Sequence, residues 1–418
     1  MSKTAGFFGW HVVAAAFIVA VFGWGVGFYG PPVYLETVRQ ARGWPIALVS
    51  GAVTLHFLAG VGVIANLPAL HRRFGLRVVT VTGALILALG VAGWALARAP
   101  WQLYAAALLS GMGWPTLGAA AVNAIVTPWF VAKRPAALSM AYNGASIGGV
   151  IFSPLWVALI GAVGFLPAAA IIGTAMVFAV GVLARVVLGR TPASMGQVPD
   201  GCVGLGANSP GRGAVLPAGR LTRDPAFLTL SAGMALTLFA QIGLIAQLVS
   251  LLAPVLGEQG AGLAAGLSTA AAILGRMLVG WYMPAHTDRR YVAAINLIAQ
   301  AGGCLMLLGA AHAAAPWLLL GVVLIGLGIG NATSLPPLIA QVEFTREDAA
   351  RIVPLIVAIS QGTYAFAPAM FGLLRQVAPP QTIFAVAAAI QLAALGTFLA
   401  GRGRYRGRIP TAPVQRCF

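Results

Sequence analysis

Residues 262–283 read GLAAGLSTAAAILGRMLVGWYM, from Gly262 to Met283, and carry one charge, Arg276. About 20 apolar residues cross the ~30 Å hydrocarbon core of a bilayer as a helix, whereas a helix buried in a soluble core is shorter. The stretch therefore reads as a membrane span. The same ruler, applied outward and broken at charge and turn clusters, gives twelve such stretches in two sets of six. The first set covers 9–28, 47–70, 78–97, 101–126, 137–163 and 166–188. The second covers 228–252, 262–283, 291–311, 316–340, 352–374 and 382–400.

Composition agrees. The 418 residues are 60% hydrophobic and only 8% charged, against roughly 25% charged in a soluble domain. A soluble enzyme, a disordered chain and a secreted disulfide scaffold are thereby excluded. The 53 glycines suit close approach of membrane helices. Cys202, Cys304 and Cys417 are scattered without pairing or metal-ligand spacing, so no metal or other cofactor is expected. The first stretch is expected to be a span and not a signal peptide, since only Lys3 precedes it and no small-residue cleavage site follows before Pro31.

The net charge of +17 invites a nucleic-acid reading, but position decides otherwise. With a cytoplasmic amino terminus, twenty of the 25 basic residues fall in inner loops or tails, among them Lys3, Arg72, Arg73, Arg77, Lys133, Arg134, Arg185, Arg190, Arg289, Arg290 and the Arg402–Arg408 run. Only Arg39, Arg42, Arg98 and Arg375 lie outside. Both termini are thus predicted to be cytoplasmic. The expected domains are a bundle over 1–188, a linker over 189–225, a second bundle over 226–401 and a basic tail over 402–418 that meets lipid headgroups.

The two sets echo each other at an offset of about 215 residues. Pro68, Ala69 and Arg73 fall on Pro284, Ala285 and Arg289; Gly111 and Gly113 on Gly326 and Gly328; Phe130 on Phe344; Gly148 on Gly362. Phe152-Ser153-Pro154 falls on Phe366-Ala367-Pro368. Six spans separate equivalent points, so the repeats are parallel, and rocking them about a site between them gives alternating access.

At this point the chain resembles the major facilitator superfamily over essentially its whole length. The loop His71-Arg72-Arg73-Phe74-Gly75-Leu76-Arg77 resembles that superfamily's basic loop motif, with Arg72 where the pattern carries Asp. The run Trp129-Phe130-Val131-Ala132-Lys133-Arg134, continuing through Ala137, Ala141, Gly144 and Gly148, is similar to the signature of the monocarboxylate transporter family and the oxalate:formate antiporter branch. Gly9-Trp10-His11 echoes that family's first-helix motif. Read physically, Gly144 and Gly148 form a small-xxx-small face for helix packing.

All eight acids are assigned to loops or helix ends, which leaves Arg276 as the one permanent charge within a span. A mid-membrane guanidinium costs about 2.5–3.5 kcal/mol on insertion scales. It sits eight residues before Pro284, about 12 Å along a helix, too deep for easy snorkelling. An anionic substrate is the available counter-ion, and a carboxylate matches the guanidinium fork. The resemblance implies the same role, for the family's substrate-coordinating Arg occupies this helix. The Asp that animal members carry one turn earlier is Ala272 here, and the antiporter's Lys is missing from Ile359-Ser360-Gln361-Gly362-Thr363-Tyr364. One buried cation suits one carboxylate, since a second would stay unneutralised.

Further candidates for substrate contact are Tyr29, Trp114, Tyr142, Asn143, Asn331, Gln361 and Tyr364, with Thr116, Asn123, Ser146, Gln241, Gln247, Thr333 and Ser334 behind them. Each competes with a plain helix-to-helix hydrogen bond. His56 is the candidate proton relay, against the alternative of a packing histidine. The Gly328-Ile329-Gly330-Asn331 run lies in an apolar span without a preceding strand, so it is read as a thin, bendable helix segment and not a phosphate loop.

The expectation is an all-α integral protein of the cell inner membrane, with twelve helices in two six-helix repeats, that carries a small organic anion by proton symport or anion exchange. A carrier of a neutral metabolite or vitamin, or a drug efflux pump, is the alternative. A monomer is expected. An enzyme would need a nucleophile-base pair or metal ligands in the bundle, and a channel would need rings of charge; neither pattern is present.

Overall fold

The computed structural model describes residues 7–131, 133–200, 223–283, 287–309, 315–344 and 346–402. Lys3, Cys202, Arg212, Arg220, Pro284, Ala285, Cys417 and the tail beyond Arg402 lie outside the described residues, as do the side chains of Arg346 and Arg351.

The described chain is helical. In order run α1 (Gly9–Gly27), α2 (Gly30–Arg42), α3 (Ile46–Phe74), α4 (Leu76–Leu96), α5 (Pro100–Gly113), α6 (Ala119–Val126) and α7 (Arg134–Val163). Then follow α8 (Phe165–Leu183), α9 (Pro225–Tyr282), α10 (Arg289–Gly309), α11 (Ala315–Glu343), α12 (Arg346–Tyr364), α13 (Ala367–Val377) and α14 (Thr382–Ala400). Among the described residues, eleven stretches are long and apolar enough to cross a membrane. One of them, Pro225–Val279, is 55 residues long, and at 1.5 Å per residue it would be nearly three bilayer cores in length. It is not one rod. Gly257, at φ 71° and ψ 168°, breaks α9 in a left-handed conformation that glycine alone adopts at no steric cost, and divides it into 225–256 and 258–282.

Proline sets the other interruptions. Phe28 and Tyr29 both donate their backbone N–H to Trp24 O, at 3.0 and 2.8 Å, so α1 ends there and α2 restarts on Gly30-Pro31-Pro32. The carbonyls of Gly25, Val26 and Gly27 are left without helical partners; Pro31 in particular has no N–H to give Gly27. Side chains take them instead. Trp156 Nε1 donates to Gly25 O at 3.2 Å, the Tyr34 hydroxyl to Val26 O at 3.1 Å, and His56 Nε2 to Gly27 O at 2.8 Å.

Small residues set the close crossings. A Cβ on Gly144 would stand 2.2 Å from Phe17 O and one on Gly148 2.5 Å from Val21 O, so α7 lies against the backbone of α1, as the small-xxx-small reading expects. The glycines of α11 do the same to α9: a Cβ on Gly326 would meet Ser268 O at 2.3 Å and one on Gly330 would meet Ala272 O at 2.4 Å. Helix α11 runs unbroken through Pro336 and Pro337, so these glycines here serve close packing.

Charges predicted at loop level prove partly buried. Arg290 is fully buried and forked on Glu343, Nε to Oε1 at 2.6 Å and Nη2 to Oε2 at 2.8 Å. Glu36, also buried, holds Arg39 at 2.9 and 2.6 Å. The start of the expected linker docks on the first half, where Asp200 accepts from Val131 N at 2.6 Å and Lys133 N at 2.7 Å.

Candidate functional site

Arg276 lies in the second stretch of α9, one turn from where α7 and α11 flank it. Its Nη1 donates to Asn143 Oδ1 at 3.4 Å and its Nη2 to Gly330 O at 3.5 Å. Both contacts are at the weak limit of a hydrogen bond, and both partners are neutral. Among the described residues no carboxylate pairs with it. A guanidinium has five N–H donors, so a planar anion can still be gripped by two of them.

Tyr29, at the break between α1 and α2, completes the surroundings. Its ring stands beside the Thr269 side chain against Gly149 and lies in the field of Arg276; Thr269 donates to Ala265 O at 3.0 Å. Thr269 stands seven residues before Arg276 on the same helix face. Sequence reasoning passed over it, although that spacing was the available signal.

From Tyr29 an aromatic chain runs inward through one half of the molecule. Phe28 packs 5.0 Å from Tyr29, 5.9 Å from Phe57 and 6.2 Å from Trp114, and Phe57 lies 6.1 Å from Tyr364 of the other half. Trp114 Nε1 and Gln361 Nε2 are buried donors with no hydrogen-bond partner among the described residues. Such groups cost about 1–3 kcal/mol each unless something fills the vacancy.

The remaining candidates do other work. Asn331 is buried and faces the interior of its own half: Nδ2 donates to Gly275 O at 3.1 Å, to Leu327 O at 3.3 Å and to Asn296 Oδ1 at 3.4 Å. It thereby fixes the Gly275–Arg276 step, while its Oδ1 is buried without a hydrogen-bond partner among the described residues. Tyr142 donates to Ala119 O at 3.0 Å and also meets Asn123 Nδ2. Gln241 reaches Gln300 at 2.6 Å, Gln247 reaches Ser50 at 3.0 Å, and Thr333 and Ser334 return to Gly330 O at 3.2 Å.

His56 is buried with both ring nitrogens engaged, Nε2 on Gly27 O and Nδ1 on Ser110 Oγ, each at 2.8 Å. A carbonyl only accepts, so Nε2 carries a proton; Nδ1 pairs with Ser110 Oγ, which also receives Trp94 Nε1 at 3.1 Å and lies 3.1 Å from Ala107 O. This arrangement ties α1, α3, α4 and α5 together. We expect His56→Ala to destabilise the fold by about 1–3 kcal/mol, by stranding Gly27 O, read as a lowered unfolding midpoint in detergent. An unchanged midpoint with lost proton coupling would instead give His56 the relay role.

Several contacts between the halves lie away from Arg276, toward the Gly257 break in α9. Gln247 Nε2 bonds Ser50 Oγ at 3.0 Å and Ala369 N bonds Thr54 Oγ1 at 3.0 Å. A Cβ on Gly262 would touch Val157 at 3.0 Å, and one on Gly266 the carbonyl of Val150 at 3.2 Å; Pro154, four residues on, leaves that carbonyl free. Toward the termini, Ser139 and Thr333 share faces with Asn143 and Gly330 and are exposed.

Comparison with known proteins places this geometry. A family model described as Major Facilitator Superfamily matches residues 15–368. An "MFS-type transporter 1" of Ophiocordyceps sp. is 30% identical over 193 residues, 45% of this chain and 42% of the relative. "Monocarboxylate transporter 13" of Bos taurus is 28% identical over 163 residues, 36% of this chain and 35% of the relative. The chain thus spans less than half the length of the curated relatives it matches. Among solved structures, a bacterial homologue of the human lysosomal transporter Spinster, inward-facing and occupied, superposes with a TM-score of 0.72 at 14% identity, covering 99% of this chain and 100% of that one. A mutant of the nucleoside transporter NupG gives 0.71 at 14% identity, covering 94% and 100%.

Proposed function

The chain belongs to the major facilitator superfamily, and from that premise we propose that it is a secondary transporter of the cell membrane that moves a small monocarboxylate by alternating access. The observation that carries this reading is Arg276, partly buried between the halves with only two weak, neutral partners. A bound carboxylate supplies the missing charge, and Tyr29 and Asn143 flank it. Trp114 and Gln361 offer their unpaired N–H groups, and Phe28, Phe57 and Tyr364 an aromatic wall, to the rest of a substrate that bears an apolar body with a hydroxyl or carbonyl.

Dividing α9 at Gly257 supports twelve crossings, and the distribution of basic residues supports cytoplasmic termini. The site then lies between two six-helix halves, as alternating access requires. Proton symport and anion exchange both suit it, because a proton can travel on the substrate itself as the neutral acid. The names of the monocarboxylate transporter relatives favour the same substrate class.

Counterflow in proteoliposomes tests the proposal. Labelled aromatic or hydroxylated monocarboxylates should accumulate against preloaded unlabelled substrate, while dicarboxylates and neutral solutes should not. Dicarboxylates moving faster than monoanions would overturn the valence reading. Transport of a neutral metabolite or a lipophilic drug, with no anion moved, would replace the substrate class.

A further inference from the structure

A groove of about 1060 Å³ opens on the flank of the amino-terminal half, between the start of α4 and the end of α8, and shares no lining residue with the Arg276 site. Its polar end holds His71, Arg77, Arg185 and Arg190, and no acid is among its lining residues. Among the described residues no carboxylate pairs with any of these arginines. Arg190 lies over the Phe8 ring at 5.0 Å, and His71 Nε2 is buried without a partner.

The backbone adds to this positive end. Helix α4 begins at Gly75 with no side-chain cap and no acid in its first turn, so its first N–H groups and dipole remain unanswered there. Beyond Leu183 the chain of α8 continues as a π-helix over Ala184–Leu188, a distortion frequent at functional sites, and Arg185 projects from it. Gly189 lies where a Cβ would stand 2.6 Å from Arg77 Cδ, so the arginine passes across bare backbone.

The rest of the groove is apolar and open. Phe178 is 72% and Val78 55% exposed, and both line it. Positive charge at one end and an uncovered apolar floor at the other match an amphiphile with an anionic head, whereas a free phosphate would use only the first. We propose that this groove binds an anionic phospholipid, its phosphate forked by Arg77 and Arg185 at the headgroup level and its acyl chain along Phe178 and Val182. Guanidinium pairs phosphate bidentately, and basic pockets between membrane helices are suited to such headgroups.

Native mass spectrometry of the full-length protein in detergent, titrated with phosphatidylglycerol, phosphatidylcholine and inorganic phosphate, tests this. Phosphatidylglycerol should stay bound where phosphatidylcholine is lost, and Arg77→Gln combined with Arg185→Gln should weaken it by roughly tenfold or more, from the loss of charge-assisted hydrogen bonds. Gly181 lines the groove and has open space where a Cβ would stand, so Gly181→Leu should crowd out the acyl chain with every arginine intact. Arg276→Ala should leave lipid binding unchanged. Equal retention of phosphatidylcholine, equally tight binding of inorganic phosphate, full binding by both groove variants, or loss of lipid in Arg276→Ala would each overturn the proposal.

Discussion

Arg276→Ala is expected to reduce kcat/KM for every organic anion by roughly 100-fold or more, because removing one member of a desolvated charge pair costs about 2–5 kcal/mol. The folded state should not suffer. The guanidinium has only two weak neutral contacts, and deleting an unpaired cation from a span relieves an insertion cost of about 2.5–3.5 kcal/mol. The variant should therefore unfold at the same or a higher temperature while failing to transport. Arg276→Lys keeps the charge but loses the planar fork, so it should retain partial transport with a raised KM. Uptake of all anions unchanged in Arg276→Ala, measured in the same proteoliposomes, would remove the arginine from the site.

Arg290→Ala should have the opposite profile, with stability lost first. Besides Glu343, the Arg290 guanidinium donates to Ala226 O at 2.9 Å, Thr229 Oγ1 at 3.0 Å and Phe398 O at 3.4 Å. One side chain thus joins the start of α9, the start of α10, the end of α11 and the end of α14. Its removal leaves Glu343 buried without its counter-ion, at a cost of about 3–5 kcal/mol, or a fall in unfolding midpoint on the order of 10 °C. Arg290→Met with Glu343→Leu should recover much of that loss, because an apolar pair of similar volume strands no charge. A thermal unfolding series of the three variants in one detergent checks both steps. Nearby, burial works to raise the Asp288 carboxyl, but Arg402 Nε at 2.7 Å and the Arg290 backbone N–H at 3.0 Å outweigh it and hold the group below its ordinary range.

The spans were legible because membrane helices must be apolar along their whole length, which leaves little room for a competing reading. The unpaired arginine was legible for the same reason: one charge in an apolar stretch stands out. Its neighbours were less so. Asn331 and Asn143 look alike in sequence, yet Asn331 turns into its own half while Asn143 meets Arg276, and a few tens of degrees of helix rotation decide between these outcomes. Arg290 and Glu343 resembled ordinary loop charges, 53 positions apart. Their pairing follows from topology, since α10 begins and α11 ends at the same end of two antiparallel neighbours. His56 reads equally as relay or packing group until the freed carbonyl of Gly27 is located.

The interruption between α1 and α2 has a consequence for how such a protein diversifies. Its backbone is held by Trp156, Tyr34 and His56, none of which is Tyr29, the residue it presents to Arg276. The duty of maintaining the irregular backbone is thus separated from the proposed duty of meeting the ligand. Position 29 can vary under selection for new substrates without unseating these three carbonyls, at the cost only of its own packing against Phe28, while positions 34, 56 and 156 are bound to change slowly or together.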